Sequence, residues 1–385
     1  MSNDYYQIKD FAKVKGGKRL PKGQFVQDSK TNHPYIRVTD MTANGLDASG
    51  IKYVPESIFE KISRYTISSN DVYISNAGTV GLVGKVPINL SGASLTENSA
   101  KITDINNNIV NQDYLISYLR SHDGQYQIKS RVGGSSQPKL ALDRIETISV
   151  PKLPIGQQTK ITAVISNYED LIENNEKRIK ILEEKAKRLY SEWFVKFRFP
   201  GNEKIKRVDL PLGKIPEGWE VKTVGDVLEL AYGKALIGSA REGGIFPVYG
   251  SSGKVGSHTE KLVSGPGIVV GRKGNVGSIF WVDDDFYPID TTFYVKSSLD
   301  LEFVYYLLKE QTFKGGDSAV PGLNRGYAYS KQVVIPSQDL ISIFSNQISK
   351  YFKLTKNIRD QNINLTKARD LLIPQLVTGR RELKN

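Results

Sequence analysis

The chain has 385 residues, 53 Lys and Arg against 41 Asp and Glu, a net charge of +12 and 39% hydrophobic residues. That length exceeds one ordinary core and predicts two domains, while the lack of cysteine excludes a disulfide framework, Cys-ligated zinc and a Cys nucleophile. No apolar run nears the roughly 20 residues that cross a bilayer and the first ten residues lack a signal-peptide core, so the expectation is a cytoplasmic protein with no membrane partner, its positive charge directed at an anionic one such as nucleic acid.

In chain order, residues 1–150 read as a first globular domain of irregular α+β character. Alternating patterns at Ile36-Arg37-Val38-Thr39 and Asp71-Val72-Tyr73-Ile74-Ser75 predict strands. Tyr114 to Arg120 predicts a short helix with Tyr114, Leu115, Tyr118 and Leu119 on one side. Residues 151–200 change character. From Gly156 no Gly or Pro recurs until Pro200, and Ile161, Ile165, Tyr168, Ile172, Ile179, Leu182, Ala186, Leu189 and Trp193 form a stripe at four-three spacing. This is a long helix of about forty residues, roughly 60 Å, and its stripe requires a partner. Pro211 to Trp219 reads as a Pro/Gly-rich linker, and residues 201–335 as a second globular domain with its own short helix at Phe303 to Leu308. Residues 336–385 supply the partner helix, from Ser337 to about Leu372, with Phe344, Ile348, Tyr351, Ile358, Leu365 and Leu372 in its stripe. Asn175 and Asn362 fall inside the two stripes, where each either fixes register or faces water.

The two halves are one plan used twice. The Gly-rich stretch from Asp71 to Gly81 answers to that from Pro266 to Gly277, Gly133-Gly134 to Gly315-Gly316, and Ile148-Ser149-Val150-Pro151 to Val333-Val334-Ile335-Pro336. At an offset of about 183 residues the long helices coincide, as a duplicated domain requires. The fold class is therefore α+β: two similar globular domains joined by two long helices that form an antiparallel coiled coil, with an internal pseudo-two-fold axis.

Catalytic patterns are not found. Gly78-x-x-Gly81-x-x-Gly84 and Gly271-x-x-Gly274-x-x-Gly277 precede strands rather than helices and read as turns, not dinucleotide loops. Gly250-Ser251-Ser252-Gly253-Lys254 lacks phosphate-loop spacing. His33, His122 and His258 lack metal-ligand spacing, and Asp283-Asp284-Asp285 reads as a solvated turn. No metal site and no catalytic residue is assigned. What remains is basic and polar loops in both halves. Lys15, Lys18, Arg19 and Lys22 lie among glycines, and Ser135, Ser136, Gln137 and Lys139 follow Gly133-Gly134. Ser252 and Lys254, then Arg272, Lys273 and Asn275, then Asn324 and Arg325, occupy loops of the second half. Lys and Arg supply the salt-dependent attraction to phosphates, and Arg, Asn, Gln and Ser at turn tips read base edges.

Several stretches in this order resemble the specificity subunits of type I restriction-modification enzymes. They are Gly133-Gly134-Ser135-Ser136-Gln137-Pro138-Lys139-Leu140, Leu189-Tyr190-Ser191-Glu192-Trp193-Phe194, Ile215-Pro216-Glu217-Gly218-Trp219-Glu220, Tyr249-Gly250-Ser251-Ser252-Gly253, Gly271-Arg272-Lys273-Gly274-Asn275-Val276-Gly277-Ser278 and Pro288-Ile289-Asp290-Thr291-Thr292. The resemblance spans essentially the whole chain. It implies two target-recognition domains, each reading one half of a bipartite site in double-stranded DNA, and helices that set the spacing and dock two methylation subunits. It also implies a chain that is not itself an enzyme and binds no cofactor, with S-adenosylmethionine, ATP and Mg2+ used by the methylation and restriction subunits. The competing reading is a coiled-coil scaffold between proteins, its basic loops incidental to any DNA.

Overall fold

The computed structural model describes residues 4–43, 45–134, 138–313 and 322–383. The chain divides into two compact units, Met1–Glu173 with Ile363–Asn385, and Asn174–Asn362. The divisions fall within the long helices, so each unit holds one globular domain and a part of each helix.

In the first unit the central sheet runs Lys13–Gly16, Ser99–Thr103, Val72–Ser75 and Val83–Lys85, all antiparallel. In the second unit it runs Leu228–Tyr232, Thr292–Ser297, Gly267–Gly271 and Ile279–Val282, again antiparallel. The second sheets also correspond. Pro34–Ile36 pairs in parallel with Ala93–Leu95 and antiparallel with Lys52–Tyr53, and Phe246–Gly250 pairs in parallel with Tyr287–Pro288 and antiparallel with Gly253–His258. In each domain the last strand before the long helix pairs with one near the domain's start: Tyr5–Gln7 with Ser149–Pro151, Glu220–Thr223 with Gln332–Ile335. The short helices form at Gln112–Arg120 and Leu301–Lys309, each burying one apolar face in the core beside its sheet.

The predicted strand at residues 36–39 stops at Ile36. Asp40 accepts the Arg37 amide at 2.8 Å and its guanidinium at 2.6 Å, which turns the backbone into a short 3-10 helix, Val38–Asp40. The expected linker at residues 211–219 is instead structured. Arg207–Leu210 and Gly213–Pro216 form a hairpin, and Ile215 and Trp219 are buried beside Phe194 and Phe199. Trp219 lacks the polar surroundings of a linker residue, and an aromatic of that size is stable only where its area is covered.

The first long helix runs Ile155–Tyr190 and widens into a five-residue π turn, Ser191–Val195, that buries Trp193 and Phe194. The second runs Gln338–Val377, past the expected end at Leu372, because Leu376 and Val377 are buried in the first domain's core. There the Tyr114 hydroxyl donates to the Val377 carbonyl at 2.7 Å. Gln158, fully buried, accepts the Asn111 amide at 2.8 Å and donates to the Ile109 and Leu153 carbonyls, tying the helix start to the same domain.

Every stripe position is buried or half-buried, Ile165, Tyr168, Ile172, Ile179, Leu182 and Leu189 on one helix and Ile348, Tyr351, Ile358, Leu365 and Leu372 on the other. Within the second unit the helices are antiparallel: Asn175 meets Asn362, Lys185 lies over the Tyr351 ring and Tyr190 meets Phe344. Asn175 and Asn362 do not face water. The Asn175 Nδ2 donates to Asn362 Oδ1 at 2.8 Å inside the seam, the arrangement by which a polar pair sets register.

The acidic trio is a turn that is only partly solvated, with Asp284 exposed and its neighbours half-buried. Asp283 accepts the Trp281 indole N–H at 2.8 Å and faces Arg359, Asp284 pairs with Lys356, and Asp285 pairs with Lys261 at 2.7 Å and accepts the Gly265 amide. Lys356 and Arg359 belong to the second long helix, so the trio fastens the second domain to it. Arg359 also donates to Glu183 of the first helix at 2.7 Å.

Candidate nucleic-acid interface

The sequence-predicted contact residues lie on loops where the central strands end, and main-chain hydrogen bonds hold those loops. In the first domain Gly17 N donates to Ser99 O at 2.9 Å and Lys18 N to Leu95 O at 2.8 Å. Asn76 N and Ala77 N share Asn98 O, and Leu140 N donates to Asn76 O at 2.9 Å. The second domain repeats each bond with other residues. Gly233 N donates to Thr292 O, Lys234 N to Pro288 O, Arg272 N and Lys273 N share Thr291 O, and Leu323 N donates to Arg272 O at 2.7 Å. The two loop frames thus superimpose bond for bond. A side chain is excluded at their shared close approach: a Cβ on Gly17 would lie 2.0 Å from Thr96 O, and one on Gly233 2.2 Å from Ile289 O.

Side chains on these matching frames differ. Asn76 stands where Arg272 does, Gly16 where Tyr232 does and Leu142 where Arg325 does, as read from the paired bonds. Asn76 is buried, whereas Arg272 reaches out over the Tyr232 ring.

In the first domain Lys15, Lys18, Arg19 and Lys22 are all exposed. Lys15 sits on the edge strand opposite Lys101, Lys18 lies 5.7 Å from the Tyr65 ring centroid, and Arg19 Nε donates to Glu97 at 2.5 Å. Burial alone would raise the Glu97 carboxyl, but hydrogen bonds from Arg19, its own backbone and Thr96 hold it below the usual range. Lys22 is in a separate turn closed by Gln24 N and Pro21 O. Lys139 exchanges both main-chain bonds with Gly133 at 2.9 Å and bridges to Ala77, two residues after the predicted Ser135, Ser136 and Gln137 in the sequence. Those three residues lie outside the described ones, as does the stretch 314–321 in the second domain.

The second domain gathers its predicted residues more closely. Lys273 bridges to Gly322, which brings the Arg272-Lys273 turn against the start of Asn324-Arg325. Ser278 Oγ donates to Ser251 O at 2.5 Å and to Asn275 O at 2.9 Å, joining the hairpin tip that bears Ser252 and Lys254 to the turn that bears Asn275. Lys254, Lys273, Asn275 and Arg325 are exposed. Asn324 has a local duty: its Oδ1 accepts the Tyr327 amide at 3.0 Å and caps a short helix, Arg325–Tyr329.

Two participants escape a reading of the sequence alone. Tyr232 and Lys234 join the cluster only because their strand ends beside Thr292 and Pro288. Their signal was Gly17-Lys18 recurring as Gly233-Lys234, hidden because the connection from that strand to the Gly turn is longer in the first domain.

Such a surface, basic side chains on a rigid main-chain frame, attracts phosphates and aims a few planar donors at base edges. Among the described residues no group of three or more acidic or histidine side chains is placed to hold a metal ion, and no helix is long and apolar enough to cross a membrane.

Comparison with known proteins locates this arrangement. The sequence model described as the type I restriction modification DNA specificity domain matches residues 2–184 and 216–361. The type I restriction enzyme MjaIX specificity subunit of Methanocaldococcus jannaschii is 26% identical over 415 residues, covering 98% of this chain and 93% of that protein. The MjaVIII specificity subunit of the same organism is 21% identical, covering 99% and 98%. Among solved structures, the type I restriction-modification S subunit from M. genitalium has a similar fold, with a TM-score of 0.61 at 15% identity over 100% of this chain and 98% of that one.

Proposed function

The chain belongs to the type I restriction-modification DNA specificity family, and we propose that it is the non-catalytic DNA-recognition subunit of a type I restriction-modification assembly. Each globular domain reads one half of a bipartite site in double-stranded DNA, and the long helices set the spacing of the halves and dock two methylation subunits. Restriction subunits complete the assembly. S-adenosylmethionine, ATP and Mg2+ serve those partners, so methyl transfer and cleavage are their chemistry, while this chain holds and orients the DNA.

The observation that supports this reading is the pair of matched loop frames carrying unmatched side chains. A shared frame presents reading groups in the same geometry twice, and different groups on it read different bases. The basic tips Lys15, Lys18, Lys139, Lys254 and Lys273 supply the phosphate attraction, and Ser252, Asn275, Arg272 and Arg325 the base-directed donors.

Sequencing the methylated sites of a host that carries this chain with its methylation subunits tests the proposal. The expected result is one two-part motif with a fixed spacer. Removing one heptad, about 10 Å of helix, from both long helices should change the spacer and leave the half-sites intact. Altered half-sites with an unaltered spacer would refute the spacing role. A scaffold without sequence-specific DNA binding predicts no motif and no DNA shift that survives competitor.

A further inference from the structure

The second domain holds a feature that the first lacks. The Tyr232 ring, 48% exposed, has two guanidinium groups against it, Arg272 and Arg325, each with its central carbon 4.9 Å from the ring centroid. The platform is braced from beneath. Tyr232 packs on buried Phe293 at 5.0 Å between centroids, Arg272 lies 5.8 Å from the same Phe293, and Arg325 lies 5.8 Å from Tyr329. The Tyr329 hydroxyl accepts the Leu230 amide at 2.9 Å, fixing that ring to the strand. One further bond locks Arg272: its Nη1 donates to the Asp290 carbonyl at 3.0 Å. Neither arginine makes an ion pair among the described residues.

Two like charges gathered on one ring repel each other and favour a ligand rich in acceptors. Stacking occupies a guanidinium's face and fixes its plane, which leaves its edge N–H groups as the recognition surface. In the major groove the edge with two adjacent acceptors is that of guanine, O6 and N7, whereas adenine sets a donor beside its N7. Resting on the recognition function proposed above, we infer that the Tyr232–Arg272–Arg325 stack reads a guanine, so that the half-site of the second domain contains a required G·C pair. Arg272 and Arg325 are the reading groups and Tyr232 is the positioning residue. The first domain, with Gly16, Asn76 and Leu142 at the matching places, reads its half by other chemistry.

The experiment selects duplexes from a randomised library with the full chain, co-expressed with its methylation subunits, and then titrates the selected sites over a salt series. Wild type should fix a G·C pair in one half. Arg325→Lys and Arg272→Lys keep the charge but lose the planar fork. Each should reduce the preference for G·C over A·T at that pair, and the double variant should reduce it by about 5- to 150-fold, the range one bidentate contact provides, with the salt slope unchanged. Tyr232→Leu should loosen the same pair although both arginines remain, and Tyr232→Phe should restore it. Unchanged reading of the other half is the internal control for folding. The inference is overturned if charge-removing Arg272→Gln and Arg325→Gln weaken all sequences alike and lower the salt slope by about one, the signature of a phosphate contact, while the lysine variants bind every sequence as wild type does. It is also overturned if wild type selects a motif that these variants keep. If wild type selects no motif, the recognition function itself fails and the inference with it.

Discussion

The Asn175–Asn362 pair offers a quantitative test of the seam. Asn175 is only 6% exposed, while Asn362 is half-buried. The bond between them is 2.8 Å, and Arg178 lies 3.4 Å from the Asn175 Oδ1. Asn362→Ala removes the acceptor and strands a buried amide, which costs about 1–3 kcal/mol. Asn175→Ala takes one bond from Asn362, which is only half-buried, and should cost about 0.5–1.5 kcal/mol. The two losses share one bond, so a double-mutant cycle should show a coupling of about 1 kcal/mol, above the 0.3–0.5 kcal/mol scatter of independent sites. Replacing both by Leu should cost less than either single alanine, since neither member of the bond is then left buried without the other. Urea unfolding followed by far-ultraviolet circular dichroism provides the four stabilities. Additive single effects, or a larger loss at Asn175 than at Asn362, would refute the argument that the bond is made in a dry seam.

Gly233→Ala should destabilise the second unit by at least about 2 kcal/mol, because its Cβ meets the Ile289 carbonyl at 2.2 Å, whereas Gly238→Ala, with open space around it, should not; thermal melts compare them. The Arg19–Glu97 pair should contribute under about 1 kcal/mol, as Arg19 is exposed. Because the folded Glu97 carboxyl titrates below its unfolded value, that contribution is present above the ordinary glutamate range, about 4.3, and is lost as pH falls through the folded value; Arg19→Gln should reduce this acid dependence in urea midpoints. Burial raises the Asp283 carboxyl, so its contribution is present at low pH and is lost as pH rises through the folded value. Asp283→Asn, which still accepts the Trp281 N–H, should match or exceed the parent at pH 7, whereas Asp283→Ala should lose about 1–2 kcal/mol.

The elements legible in the sequence are those set by local rules. The long helices and their seam follow from heptad spacing, which depends only on neighbours along the chain, and so do the short helices at Gln112–Arg120 and Leu301–Lys309. The Gly-rich stretches were readable as turns because strands follow them. Where distant residues decide, the sequence is silent. Three adjacent aspartates look solvated until Lys356 and Arg359 arrive from a helix seventy-odd positions later. Residues 211–219 look like a linker because Trp219 carries no sign of the pocket that Phe194, Phe197 and Phe199 build for it. Tyr232 could not be singled out, since its importance lies in two arginines from different loops meeting on one ring. The basic tips were visible as charges, but their division into frame-bound and free-standing groups was not.

The bonds that hold the loop frames join amide to carbonyl, a grammar in which every residue can accept and every residue except proline can donate. At position 76 an asparagine occupies the slot and at 272 an arginine, and the backbone between them is bonded alike. Architecture and vocabulary are thus written in different atoms. A new base preference can be tried by exchanging a side chain without renegotiating the fold, and glycine is demanded only where strand and loop touch. In that separation the reading side chains are free to differ while the frame beneath them stays bonded alike.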